Sequence, residues 1–200
     1  MDRFIFHKQL KAELQYLIDN PEKLGGTLAL HGSFGIGKTS FAKYLGNLLA
    51  KEVIHYDCAK TKSSALEDIE TRNRTVSLAS LWDTEDQTKK AFERCYILDE
   101  FNELPNRSKS SYKIPLENLA ADSRCLVIII ANTDVKNSIS RAISPAIASR
   151  CYSINFDIQK SQYEEISVMI KQRYPLLSDV YIGNTLPDMR QICKQAKLLS

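Results

Sequence analysis

Short continuous apolar runs along this chain alternate with stretches whose apolar residues recur every three or four positions. Residues 28–31, 53–56, 95–98 and 124–130 are strand-sized runs. The last is apolar throughout after Cys125, the pattern of a central strand covered on both faces. Tyr152, Ile154 and Phe156 alternate with polar residues and predict a fifth strand. Helical spacing marks residues 4–19 through Leu10, Leu14, Leu17 and Ile18, and residues 40–49 through Phe41, Tyr44, Leu45, Leu48 and Leu49. Asn20-Pro21 ends the first of these, and Gly25-Gly26 turns the chain into the first strand. Residues 57–64 read as polar loop, and residues 65–94, with the single Trp82, as helix and loop. Pro115 and Pro145 each suit the opening turn of a helix. Residues 159–200 are helical in pattern, interrupted near Pro175 and again at Gly183, with Pro187 in the first turn of the last helix. The alternation predicts an α/β fold built on a parallel sheet.

Composition narrows the class. Two hundred residues suit one domain, or one domain with a small appendage, large enough to bury a core without staples. No apolar run approaches a membrane span, and the charged start at Asp2 and Arg3 lacks the apolar stretch of a secretion signal, so a cytoplasmic location is expected, or host cytoplasm or nucleus for a viral protein. The five cysteines, Cys58, Cys95, Cys125, Cys151 and Cys193, include no C-x-x-C pair, which points to a reducing compartment and no structural zinc. A net charge of +3 permits an acidic partner without demanding one.

Candidate chemistry centres on the turn between the first strand and its helix. Gly32-Ser33-Phe34-Gly35-Ile36-Gly37-Lys38-Thr39 fits G-x-x-x-x-G-K-[ST] at every fixed position, followed by Ser40. Glycines let backbone N–H groups point inward at phosphate oxygens, and the positive end of the following helix adds attraction. Lys38 then reaches the outer phosphates of a nucleoside triphosphate and the Thr39 hydroxyl holds Mg²⁺. The competing reading, a plain tight turn with a chance lysine, lacks support from the strand before and the helix after. The third strand ends in Asp99-Glu100. Chemistry in such sheets gathers at the carboxyl ends of strands. Asp99 is placed to order the water shell of Mg²⁺ and Glu100 to polarise a water for attack on the γ-phosphate; the alternative is a helix N-terminus favouring two carboxylates. Asn132, at the end of the fourth strand, can hydrogen-bond that water or the phosphate, or simply form a turn.

Together these pieces resemble the AAA+ ATPases, and among them the clamp-loader clade. Gly32 to Thr39 matches Walker A, Ile97-Leu98-Asp99-Glu100 matches Walker B, and Ala131-Asn132 matches the sensor 1 asparagine. Ser149-Arg150-Cys151 is similar to the Ser-Arg-Cys motif of clamp-loader subunits, and Asp188-Met189-Arg190 to the motif carrying the sensor 2 arginine. Asp99-Glu100-Phe101 and residues 129–132 look most similar to the ATPase subunit of T4-like phage clamp loaders. The resemblance implies a five-stranded parallel sheet flanked by helices over residues 1–157 and a helical lid over residues 158–200. It implies Arg190 acting in its own chain and Arg150 acting in trans on the ATP of a neighbouring AAA+ subunit, in a homo- or hetero-oligomer. It also implies contact with DNA, primer-template in kind, through Lys60, Lys62, Arg107, Lys109 and Lys113, and a sliding clamp or helicase as target.

Three departures accompany it. The helical collar domain of clamp-loader subunits has no counterpart before Ser200, Met1 to Phe6 does not match their adenine-contacting segment, and Ser33-Phe34 stands where Walker A usually carries proline. Other readings stay open. A helicase loader shares Walker A, Walker B and an arginine finger, so only the motifs at Ser149 to Cys151 and Asp188 to Arg190 separate it, and another AAA+ alternative is a ring remodeller of other protein targets. A small-molecule P-loop kinase is disfavoured by a water-activating Glu100. A nucleotide-gated scaffold that hardly turns ATP over is disfavoured by Lys38, Glu100 and Asn132 together.

Overall fold

The structure, a computed structural model, describes residues 1, 3–24, 27–61, 64–74, 90–122, 124–133 and 138–199. In chain order the elements are α1 (Lys8–Asp19), β1 (Thr27–Gly32), α2 (Lys38–Leu49), β2 (Ala50–Asp57), α3 (Cys58–Thr61), α4 (Ser64–Arg74), β3 (Phe92–Asp99), α5 (Asn106–Ser111), α6 (Lys113–Ala121), β4 (Cys125–Asn132), α7 (Ile139–Ile143), α8 (Pro145–Ala148), β5 (Tyr152–Asn155), α9 (Tyr163–Arg173), α10 (Asp179–Thr185) and α11 (Met189–Leu199). The five strands form one parallel sheet in the order β2-β3-β4-β1-β5.

The central position of β4 follows from its sequence. Every residue from Cys125 to Ala131 is buried. Because successive side chains point to opposite faces, Leu126, Ile128 and Ile130 join α1 and α2 in one core, with Phe41, Leu45 and Leu49. Val127, Ile129 and Ala131 join the opposite core, with Tyr112, Leu116 and Ile143. A third apolar cluster holds the C-terminal helices together through Ile166, Ile170, Leu177, Ile182 and Ile192. Among the described residues no helix is long and apolar enough to cross a membrane.

Several elements differ from their sequence signals. The helix expected from residue 4 begins at Lys8, where the His7 imidazole accepts from the Leu10 N–H at 3.3 Å and caps it. Residues 4–6 are two-sided instead: Phe4 and Phe6 pack on Phe41 in the sheet core, while Ile5 enters the cluster of the C-terminal helices. β2 starts at Ala50, three residues early, because Lys51 and Glu52 lie exposed on an edge strand and carry no apolar signal. Residues 58–61 coil into α3. Leu48 is 41% exposed and Tyr152 stands at the surface, where its hydroxyl donates to Glu13 Oε1 at 3.1 Å. Pro145 is the first residue of α8, and Pro115 falls in the first turn of α6, two residues after its start at Lys113. Gly183 breaks nothing. It sits inside α10 with open space around it, and the interruption falls at Leu186, before Pro187, so that α11 begins only at Met189. Gly25-Gly26, Lys62 and Trp82 lie outside the described residues.

Candidate functional site

Between β1 and α2 the backbone bends through conformations that L side chains avoid. Gly32 has φ +134° and Gly35 φ +77°. A Cβ on Gly35 would collide with the Asp188 carboxylate, and the Gly35 carbonyl accepts from the Arg190 N–H at 3.0 Å. The loop and the start of α11 therefore touch through a residue that has to be glycine. α2 begins after Gly37 with no side-chain cap on its N–H groups, which leaves the helix N-terminus open to an anion. Lys38 is only 5% exposed, and its Nζ donates to the carbonyls of Gly32 (2.8 Å) and Ser33 (2.6 Å). Burial pulls its pKa down to about 8; Asp157 and Asp99 oppose that shift and Arg190 adds to it.

Parallel pairing lines up the carboxyl ends of the strands. Asp99 stands opposite Asp57 on β2, and Asn132 opposite Gly32 on β1. Asp99 Oδ1 accepts from the Thr39 hydroxyl at 3.2 Å and from the Glu100 N–H at 3.1 Å, while Oδ2 meets His55 Nε2 at 3.2 Å. A hydroxyl beside a carboxylate is the hard-oxygen pair that Mg²⁺ takes with water and phosphate oxygens, so these residues fit that ion. Glu100 adopts φ +54°, a left-handed conformation in a residue with a Cβ. β3 pairs with β4 only as far as Leu98 and Ile129. Beyond it the Asn132 N–H donates instead to the Asn102 side-chain oxygen at 2.9 Å.

These groups face one cleft of about 460 Å³. The phosphate loop lines it from Phe34 to Ser40, β3 contributes Asp99 followed by Glu100, and β4 contributes Ile130 and Asn132. α11 presents Met189, Arg190, Cys193, Lys194 and Lys197, with Arg173 and Tyr174 from the end of α9 and Arg3 to Phe6 from the N-terminal segment. The cations Arg3, Lys38, Arg173, Arg190, Lys194 and Lys197 outnumber the carboxylates Asp99 and Glu100, which makes the cleft a trap for an anion. Gly32 and Ser33 are not on its wall; their carbonyls hold Lys38. Sequence reasoning missed the N-terminal wall and the second basic row. The latter had a signal, since Arg190, Lys194 and Lys197 share one helix face by spacing.

Arg150 lies elsewhere, in a separate groove of about 160 Å³ beside Thr27, Leu116 and Cys151. Its Nε pairs with Glu117 Oε1 at 2.6 Å and its guanidinium also donates to the Ala146 carbonyl. Of the basic residues expected to face DNA, Arg107 and Lys113 are exposed, and Lys60 is exposed with an ion pair to Asp57 at 2.6 Å. Lys109 does not belong with them. It is 5% exposed, its Nζ donates to the Asn102 carbonyl at 2.9 Å, and burial lowers its pKa. Because α5 turns that side chain inward, Lys109 pins the segment after β3 rather than facing solvent.

No protein-family model matches the chain, and no curated protein matches it in sequence. Solved structures do. The replication initiator DnaA bound to AMPPCP and single-stranded DNA is 17% identical with a TM-score of 0.62, over 98% of this chain and 63% of that one. AMPPCP-bound DnaA from Aquifex aeolicus is 18% identical with a TM-score of 0.62, over 98% and 63%. The Thermotoga maritima RuvB Holliday junction branch migration motor is 18% identical with a TM-score of 0.59, over 98% and 62%. The chain spans less than two thirds of the length of these chains, and at such identities the likeness is one of fold, the AAA+ P-loop α/β fold.

Proposed function

We propose that the chain is an ATP-hydrolysing AAA+ switch of DNA replication, a clamp-loader-like subunit that assembles with neighbouring AAA+ subunits on primer-template DNA. The observation that carries the hydrolytic part is the convergence of Lys38, Thr39, Asp99, Glu100, Asn132 and Arg190 on one basic cleft. Phosphoryl transfer needs positioning and charge neutralisation more than covalent help. Lys38 and the N-terminus of α2 hold the β- and γ-phosphates. Thr39 and Asp99 hold Mg²⁺, which when bound neutralises charge on the phosphate oxygens. Glu100 takes a proton from the attacking water, Asn132 orients that water, and Arg190 meets the γ-phosphate from the lid. Arg150, outside its own cleft, serves the cleft of a neighbour. Likeness to a DnaA holding AMPPCP and single-stranded DNA supports a nucleotide and a nucleic-acid partner here. The Ser149–Arg150–Cys151 and Asp188–Met189–Arg190 motifs favour a sliding clamp as target over a helicase; the helicase loader is the second reading.

The test is the ATPase rate per molecule against protein concentration, with and without primer-template DNA, with Lys38→Ala as blank. A specific rate that climbs with concentration and DNA is the expected result. A flat rate indifferent to both overturns the assembly part of the proposal.

Nucleotide affinity carries a pH signature of its own. In the free chain the Lys38 ammonium titrates at about 8. Bound phosphate favours the ammonium, so the pKa is higher in the complex, and binding above that pH takes up a proton. ATP affinity is therefore expected to be level below about pH 7 and to weaken above about pH 8, approaching tenfold per pH unit. Fluorescent-nucleotide titrations across that range check it, and an affinity that stays level through about pH 9 overturns it.

A further inference from the structure

One contact of the phosphate loop joins residues 124 positions apart: Ser33 donates to a single oxygen of Asp157, Oδ1, from its backbone N–H at 2.6 Å and from its hydroxyl at 2.7 Å. Asp157 stands just past β5, between Phe156, buried in the sheet core, and the segment that leads to the C-terminal helices. Its own N–H donates to the Asn155 side chain at 2.9 Å, which fixes the backbone there. A Cβ on Gly32 would come within 3.1 Å of both Asp157 N and Asp157 Oδ1. Only a glycine at the end of β1 lets the two segments approach this closely. On its other side Ser33 offers its carbonyl to Lys38 Nζ at 2.6 Å. A continuous line of hydrogen bonds therefore runs from Asp157 through Ser33 to the lysine that faces the cleft.

We propose that Asp157 is a positioning residue of the phosphate loop, holding Ser33 so that the loop is ordered for a triphosphate before it binds and tying that loop to the root of the C-terminal helices. This rests on the nucleotide reading above. Ser33 is free to rotate about φ where a proline would be locked, so its order must come from contacts, and a charge-assisted pair of hydrogen bonds supplies it. The carboxylate does not line the cleft. As an anion near phosphates it opposes binding through its charge alone. Removing it therefore separates the two effects by sign: lost ordering weakens ATP binding and lost repulsion tightens it.

The experiment titrates mant-ATP and mant-AMP into the wild-type chain and into Asp157→Ala, Asp157→Asn, Ser33→Ala and the Asp157→Ala/Ser33→Ala double variant, with thermal melting of each. Asp157→Ala is expected to weaken mant-ATP by about 10-fold to 100-fold, the range of hydrogen bonds to a charged group, with mant-AMP affinity and melting temperature little changed. Ser33→Ala keeps the N–H and loses less. The double variant is no weaker than Asp157→Ala, because the two residues act through one contact. Asp157→Asn keeps an acceptor oxygen and recovers most of the affinity. Unchanged or tighter mant-ATP binding by Asp157→Ala overturns the proposal. So do independent, additive losses in the cycle, or a parallel loss of mant-AMP binding with a lowered melting temperature. If Asp157→Ala does not fold, Asp157→Asn binding mant-ATP no better than Lys38→Ala overturns it. A wild-type chain that binds no mant-ATP overturns the nucleotide reading itself, and this proposal with it.

Discussion

Replacing Glu100 by glutamine is expected to lower ATP turnover by about 10²–10⁴-fold, the range spanned by a positioned general base, while ATP affinity stays within about twofold of wild type. The separation follows from where the residue stands. Lys38, the α2 N-terminus and Thr39 are on the loop and helix proposed to hold phosphate, and none of them hydrogen-bonds the Glu100 side chain. Glu100 leaves β3 in a left-handed conformation at φ +54°, its N–H on Asp99 Oδ1 at 3.1 Å, and its exposed carboxylate lines the cleft. An L residue held there costs about 1–3 kcal/mol, a strain that makes sense where a side chain has to be aimed. Glutamine keeps the shape and loses the proton acceptor. Single-turnover hydrolysis beside a fluorescent-nucleotide titration measures both quantities. Turnover near the wild-type rate would remove Glu100 from the chemistry, and a matching loss of affinity would make it a binding residue. Lys38→Ala is the contrasting variant, with both quantities lost together.

The parts of this site that could be read in the sequence are those whose signal is local. The glycine spacing of the phosphate loop, the continuous apolar run of β4 and the acidic pair ending β3 each sit within a dozen residues, and the parallel register then carries Asp99 and Asn132 to the same edge as Gly32. Failure came where a residue answers to two partners at once. Phe4, Ile5 and Phe6 alternate between the sheet core and the cluster of the C-terminal helices, a period of two over three residues that a neighbouring helical pattern hides. Lys109 looks like any surface lysine until α5 places its ammonium against the Asn102 carbonyl. Asp157 carries no motif, because its partner Ser33 lies 124 residues away. Gly183 shows the opposite error. Glycine lowers helix stability by only about 1 kcal/mol, and α10 runs through it, whereas Pro187 cannot continue a helix and sets the boundary.

Arg150→Ala is expected to reduce the DNA-stimulated rate by about 10³–10⁵-fold, the worth of an arginine supplied between subunits in well-studied GTPases, and to leave ATP binding by the free chain intact. Within one chain the guanidinium is absent from the cleft and is held by Glu117 and the Ala146 carbonyl. Both side chains are partly exposed, 46% and 36%, although Glu117 Oε1 itself is buried, and a pair open to solvent contributes no more than about 1 kcal/mol. A neighbour's γ-phosphate, which takes an arginine in bidentate fashion, can therefore replace Glu117 at little cost. Mixing decides the matter. Arg150→Ala has a complete cleft and no finger to give; Glu100→Gln has a finger and a dead cleft. Each alone is inactive. Together they are expected to regain a substantial share of the wild-type rate, because the finger of one chain then completes the cleft of the other. A mixture that stays inactive at concentrations where the wild-type specific rate has saturated would mean that Arg150 does not act across the interface, and its pairing with Glu117 would then stand as an ordinary surface contact.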